Sequence, residues 1–172
     1  MRSLLTAMTI AASVMLGSAA AISAEEPKSL GTFKDWSSYT FSEGSNPVCY
    51  MATKPVSSKP DGLTRGDVFA MITHRPSEKS FGVVSIVAGY SYKKDSEVTA
   101  TIGNQRFAMF TDGDTAWARD EATDKALVNA IKAGDKLVVV GTSSRGTQTT
   151  DTFSLSGTSA ALKAISDKCG GN

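Results

Sequence analysis

"FSLSGTSAALKAISDKCG", residues 153–170, opens as a strand and closes as a helix that carries a cysteine. Ala161, Ile165 and Cys169 recur every four residues, with Leu162 beside them, so they share one helical face and point inward. Ser156 or Thr158 is placed to cap the start, and Gly170 and Gly171 to end it. A helix this short is marginal in water by itself. Its thiol therefore reads as a staple, and the only other cysteine of the chain is Cys49, on an early strand-like stretch. A bond between them ties the last element to one of the first.

The N-terminal stretch supports that pairing. "MRSLLTAMTIAASVMLGSAAAISA", residues 1–24, has one arginine after the initiating methionine, then an apolar run, then small residues, which is the layout of a secretory signal peptide. Cleavage is expected after Ala24, where the polar "EEPKS" begins, or after Ala21. The apolar run is short and diluted by Thr and Ser, which argues against an anchor, and no later segment is long and apolar enough to span a bilayer. The remainder, residues 25–172, has the length of one ordinary domain. Two cysteines in an oxidising compartment read as one disulfide, Cys49 to Cys169. There is no CxxC, and one histidine, His74, leaves too few ligands for structural zinc. The whole chain has 18 basic and 17 acidic side chains, and losing Arg2 with the leader balances them. That balance argues against nucleic acid as the main partner.

Upstream of the helix the chain reads as strands. "DWSSYTF" and "PVCYMAT" flank the turn-rich "SEGSNP", and "KPVSSKPDGLTRG" has loop composition. "DVFAMITHR" carries apolar residues on both faces. "FGVVSIVAGY" is nearly continuous in hydrophobicity, as a strand covered on both sides would be. "SEVTATIGNQRFAMFTDGD" predicts a hairpin turning at Gly103-Asn104. The period then changes. "DEATDKALVNAIKAG" predicts a helix capped by Asp120 and stopped by a left-handed Gly134. "DKLVVVGTSSRGTQTTDTFSL" predicts a second hairpin with Arg145 at its tip. The fold class is all-β: an antiparallel sandwich or flattened barrel with two short helices, the second tied by the disulfide.

No catalytic set emerges. His74 ends a strand without a recognisable nucleophile motif such as GxSxG, and is expected to be structural. No phosphate loop, dinucleotide glycine pattern or calcium loop is present, so no cofactor or metal is expected. Trp117, beside the helix start, is expected as a core anchor, with a surface contact as the other reading. Arg75, Arg119 and Arg145 offer an anion or glycan site, or else pair with Asp120 or Asp151 to lock loops. For Arg145 the internal pair is the expected outcome.

"THRP", "GVVSIVAGYSYKKDSEVTATIGNQRFAMFTDGDTAWARDEATDKALV" and "GTSSRGTQTTDTFSLSGTSAALKAISDKC" together resemble the invasion-associated locus B family of Gram-negative bacteria. The resemblance runs from Trp36 to Cys169. Thr158 stands where family members often carry a bulky residue. The resemblance implies a small, exported, mostly β protein linked to entry into host cells, with no enzyme activity and no assigned site residues. The expectation is therefore a periplasmic, surface-associated or secreted binding protein that supports host interaction or envelope function. Its partner would be a protein, a glycan or an envelope component. The alternative is a periplasmic hydrolase or carbohydrate-active enzyme with an unrecognised acid pair.

Overall fold

The computed structural model describes residues 26–171. The expected leader, residues 1–24, lies outside them. In chain order the elements are β1 (Lys28–Phe33), β2 (Trp36–Glu43), β3 (Asn46–Thr53), β4 (Ser57–Lys59), β5 (Phe69–Arg75), β6 (Ser80–Val87), β7 (Glu97–Ile102), β8 (Gln105–Asp112), β9 (Thr115–Ala118), α1 (Glu121–Ala133), β10 (Lys136–Thr142), β11 (Gln148–Ser154) and α2 (Thr158–Cys169). All strands belong to one antiparallel sheet in the order β1-β2-β3-β5-β6-β9-β8-β7-β10-β11-β4.

The sheet is rolled. The Trp36 indole N–H donates to the Ser154 carbonyl at 2.9 Å, and the Asp35 N–H donates to the Ser156 carbonyl at 3.3 Å. These bonds join β2 to the end of β11, although seven strands separate them in the order. At this seam Gly157 has φ +98°, and an added Cβ would lie 1.9 Å from the Phe33 carbonyl oxygen, so only glycine fits. The sheet remains open, because β1 and β4 are its two edges. The result is a mostly antiparallel β fold with two helices, the second tied by the disulfide, as expected from the sequence, with the sheet left open.

Alternation along each strand builds the interior. Trp36 and Ser38 on β2, Cys49 and Met51 on β3, and Ala70, Ile72 and His74 on β5 all face inward and are buried. Thr40, Cys49 and His74 are register partners across three adjacent strands, so they form one transverse row. Helix α2 lies over that row. Cys169 bonds Cys49 with a Cα–Cα distance of 6.1 Å, Ser38 Oγ donates to the Ala161 carbonyl, and His74 meets Ser166. Helix α1 is anchored differently. Asp124 Oδ1 accepts the Val84 N–H of β6 at 2.7 Å, while Leu127, Ala130 and Ile131 enter the shared core.

Several details differ from the sequence reading. β1 and β4 are edge strands too short or too irregular to show alternation. The strand region also continues past Thr111: Gly113 turns the chain into β9. There Ala116 and Ala118 are buried, while Trp117 is only partly buried on the opposite face and lies outside the core, so Trp117 is not a core anchor. Trp36, with no exposed surface, holds that position instead. Gly134 is extended rather than left-handed, with φ −95°. Its glycine is required because a Cβ would approach Ile102 Cγ2 to 2.4 Å. Neither proposed hydroxyl caps α2; Gly157 is the N-cap, and Thr158 Oγ1 donates back to the Leu155 carbonyl. Asp120 does cap α1, accepting the Thr123 N–H at 2.7 Å.

Two stability outcomes follow from this arrangement. Replacing both Cys49 and Cys169 by Ala frees a loop spanning 120 residues and is expected to lower unfolding free energy by about 3–5 kcal/mol, read by denaturant titration. Trp36→Ala is expected to cost about 3–5 kcal/mol, whereas the partly buried Trp117→Ala should cost clearly less. Equal losses at the two tryptophans would contradict the assignment of faces.

Candidate functional site

The alternation that points Trp36, Ser38 and Thr40 inward points Tyr39 and Phe41 outward. On the same outer face stand Tyr50 of β3 and Phe69, Met71 and Arg75 of β5. Tyr39 and Tyr50 are register partners and stack at 5.2 Å, and Phe41 meets Tyr50 edge-on at 6.0 Å. A second row runs through Ala52, Met71, Ser85, Trp117 and Phe110, each paired with the next across five strands. Phe110 is 42 % exposed. Two hollows of about 530 and 420 Å³ lie on this face and share Tyr50 and Met71.

Charges rim the face in matched pairs. Arg75 Nη1 donates to Glu43 at 2.5 Å, Lys54 pairs with Asp67 at 2.9 Å, and Arg119 pairs with Glu97. The Arg75 hydrogen bond holds the Glu43 carboxyl below the usual carboxylate range. Lys54 also sits 5.3 Å from the centre of the Phe69 ring. Such exposed pairs contribute little to stability. Their effect here is to leave the aromatic face bordered by neutralised charge. Trp117, Arg75 and Arg119 thus come together on one surface, though both arginines hold acids other than Asp120 or Asp151. The sequence reading missed Tyr39, Phe41, Tyr50, Met71 and Phe110, whose signal was the outward half of each strand's alternation.

His74 lies apart from that face, buried beneath α2. Its Nδ1 accepts the Gly82 N–H at 2.9 Å, so Nε2 carries the proton and donates to Ser166 Oγ at 3.1 Å. A general base would need the opposite tautomer, with Nε2 free to accept the serine proton. The Phe81 ring stands edge-on to the imidazole at 5.7 Å. Burial lowers the His74 pKa.

Arg145 stands on the β10–β11 tip, exposed and without a carboxylate partner among the described residues. The expected internal pair is absent because its acids are engaged elsewhere. Asp120 caps α1. Asp151 is buried on the inner face of β11, held by both guanidinium nitrogens of Arg65 and by Ser58 Oγ at 2.6 Å. The hydrogen bond to Asp151 raises the Arg65 pKa, and Arg65 Nη1 also donates to the Ala88 carbonyl at 3.0 Å. Sequence spacing gave no sign of this pair, because Arg65 comes from a loop and Asp151 from a strand 86 residues away. Among the described residues no three His, Cys, Asp or Glu side chains gather as a metal site would require. No helix among them is long and apolar enough to cross a membrane.

The His74 geometry sets a pH response. Its folded pKa lies below the unfolded value of 6.5, so the unfolded chain takes up the proton first. The contribution is complete above pH 6.5 and is lost as pH falls from there toward the folded pKa. The melting temperature is expected to fall on acidification through this range. His74→Gln, which keeps a donor for Ser166, should flatten that slope even if it lowers the melting temperature at neutral pH. An unchanged slope would remove His74 as its source.

Comparison with known proteins places this geometry. Among curated proteins none matches the chain. Among solved structures, the crystal structure of invasion associated protein B from Bartonella henselae is similar with a TM-score of 0.57 and 18 % identity. The similarity covers 84 % of this chain and 98 % of that one, and at this identity it speaks for the fold. The invasion associated locus B (IalB) protein family matches residues 36–166, from the buried Trp36 to the Ser166 that receives the His74 hydrogen bond. The chain belongs to the invasion associated locus B (IalB) family.

Proposed function

We propose that this protein is an exported, non-enzymatic binding protein that supports invasion by docking a protein partner on its outer aromatic face. The observation that carries this reading is the outer face on which the Tyr39, Phe41 and Tyr50 cluster lies beside the row holding Met71, Trp117 and Phe110, inside a rim of ion pairs. Protein interfaces concentrate binding energy in aromatic residues, Met and Arg at the centre of a patch and place polar groups at its edge. Family membership supplies the link to invasion. Residues 1–24 act as the export leader, removed after Ala24 or Ala21, and residues 25–172 form the functional domain in the periplasm or at the outer surface. A disulfide fits an oxidising compartment.

Support for the non-enzymatic reading comes from how the buried polar groups are employed. His74 holds the tautomer unsuited to activating Ser166, Asp124 holds a β6 amide, and Asp151 holds Arg65. Their hydrogen bonds stabilise helices and loops instead of converging on one open cleft.

The test is capture of host-cell membrane proteins and of bacterial envelope proteins, side by side, on immobilised protein. The double variant Tyr50→Ser, Trp117→Ala is expected to weaken capture by about thirtyfold or more, since central hot spots typically contribute 2 kcal/mol or more. Its melting curve should stay close to that of the parent, as both side chains face outward. Undiminished capture by the folded double variant would overturn the proposal.

A further inference from the structure

A second surface shares no lining residue with the aromatic face. A groove of about 300 Å³ runs between the β10–β11 tip and the loop after β6, lined by Arg65, Tyr90, Ser91, Ser143, Ser144, Arg145, Thr147 and Thr149 among others. Its size falls at the lower end of small-molecule sites. We propose that this groove binds an acidic sugar of the uronate class, with Arg145 taking the carboxylate and the Ser and Thr hydroxyls taking the ring hydroxyls.

The floor of the groove is fixed before any ligand arrives. Arg65 is clamped on Asp151 and lies 5.7 Å from the centre of the Tyr90 ring, and Tyr90 Oη shares a 2.7 Å hydrogen bond with Thr149 Oγ1. Tyr92 meets Tyr90 edge-on at 5.3 Å. Both rings close over Gly141, where an added Cβ would lie 2.6 Å from Tyr92 Cε1 and 3.3 Å from Tyr90 Oη. The tip is equally rigid. The Ser143 N–H donates to the Thr147 carbonyl, Ser144 N–H to the Ser91 carbonyl, Gly146 N–H to the Ser143 carbonyl, and Thr147 N–H to Ser143 Oγ.

Those bonds also select the ligand. Because these four amides are already satisfied, the tip offers no nest of free N–H groups of the kind that cradles phosphate. The charge available there is the one guanidinium of Arg145, a fork suited to one carboxylate. With Arg65 neutralised by Asp151, the neighbouring loop adds Lys93 and Lys94 to Arg145 against Asp95 and, from the adjoining turn, Asp114. The local field therefore favours an anion. The rest of the lining is mostly hydroxyl, with the Tyr90 ring and Leu63 as apolar walls, which matches a sugar ring bearing a single carboxylate.

The experiment is calorimetric titration of the full mature protein at moderate salt with a uronate tetrasaccharide. Parallel arms use the same tetrasaccharide with its carboxylates reduced to alcohols, and vesicles of phosphatidylglycerol in phosphatidylcholine. The uronate is expected to bind, and the reduced sugar to bind at least about tenfold more weakly, as loss of a charge-assisted hydrogen bond implies. Arg145→Ala should cause a similar loss with an unchanged melting temperature. Arg106→Ala, which removes an equally exposed arginine from the β7–β8 tip, should bind as the parent does. Equal binding of the reduced sugar, full binding by Arg145→Ala, absence of uronate binding, or binding of vesicles alone would each overturn the proposal. None of these results bears on the aromatic face, whose capture test reads a different surface.

Discussion

The covalent and polar contacts between α2 and the transverse row Thr40, Cys49, His74 govern this architecture. A sheet with β1 and β4 as free edges cannot close by strand pairing alone. Closure comes from the last helix, which reaches β2 through Ser38, β3 through Cys49 and β5 through His74. The cross-link limits the disorder available to the unfolded chain, and the two hydrogen bonds orient the helix on its seat. The Trp36 and Asp35 bonds to the residues just before α2 complete the same seam. Packing of the common core then follows, since both helices and both halves of the sheet contribute to it.

With the interior held in that way, the outward side chains take no part in the closing contacts made by α2. The two surfaces described above differ in chemistry because they come from different parts of the chain. The aromatic face comes from strand alternation on β2, β3, β5, β9 and β8, where a regular sheet places large side chains side by side. The groove near Arg145 comes from loops, where hydroxyls and a single cation replace aromatic rows. The inward polar groups serve neither surface. His74, Asp124 and Asp151 each satisfy a buried donor or acceptor that would otherwise be left without a partner.

What could be read in the sequence is what depends on local pattern. The period of four in α2 placed Cys169 inward, the Gly103-Asn104 pair gave the β7–β8 hairpin, and Asp120 marked the start of α1, because each signal acts within a few residues. The order of strands was not legible, since β9 inserts between β6 and β8 and no local pattern encodes that neighbour. Trp117 was misplaced for a related reason. Next to a helix start it resembles an anchor, but it belongs to a four-residue strand whose inward places are taken by Ala116 and Ala118. Arg145 was expected to hold an acid that Asp151 already gives to Arg65, a pairing across 86 residues. The aromatic face was hidden because it is shared among strands that are distant in sequence.

The position of the cross-link imposes a timetable on biosynthesis. Cys49 is synthesised 120 residues before its partner Cys169. Until Cys169 has been made, Cys49 has no intramolecular thiol partner, and the helix that closes the rolled sheet is incomplete. A nascent chain can therefore pair strands but cannot lock them. Joint oxidation of the two thiols, with their electrons passing to an external oxidant, then marks a chain in which α2 has reached its seat.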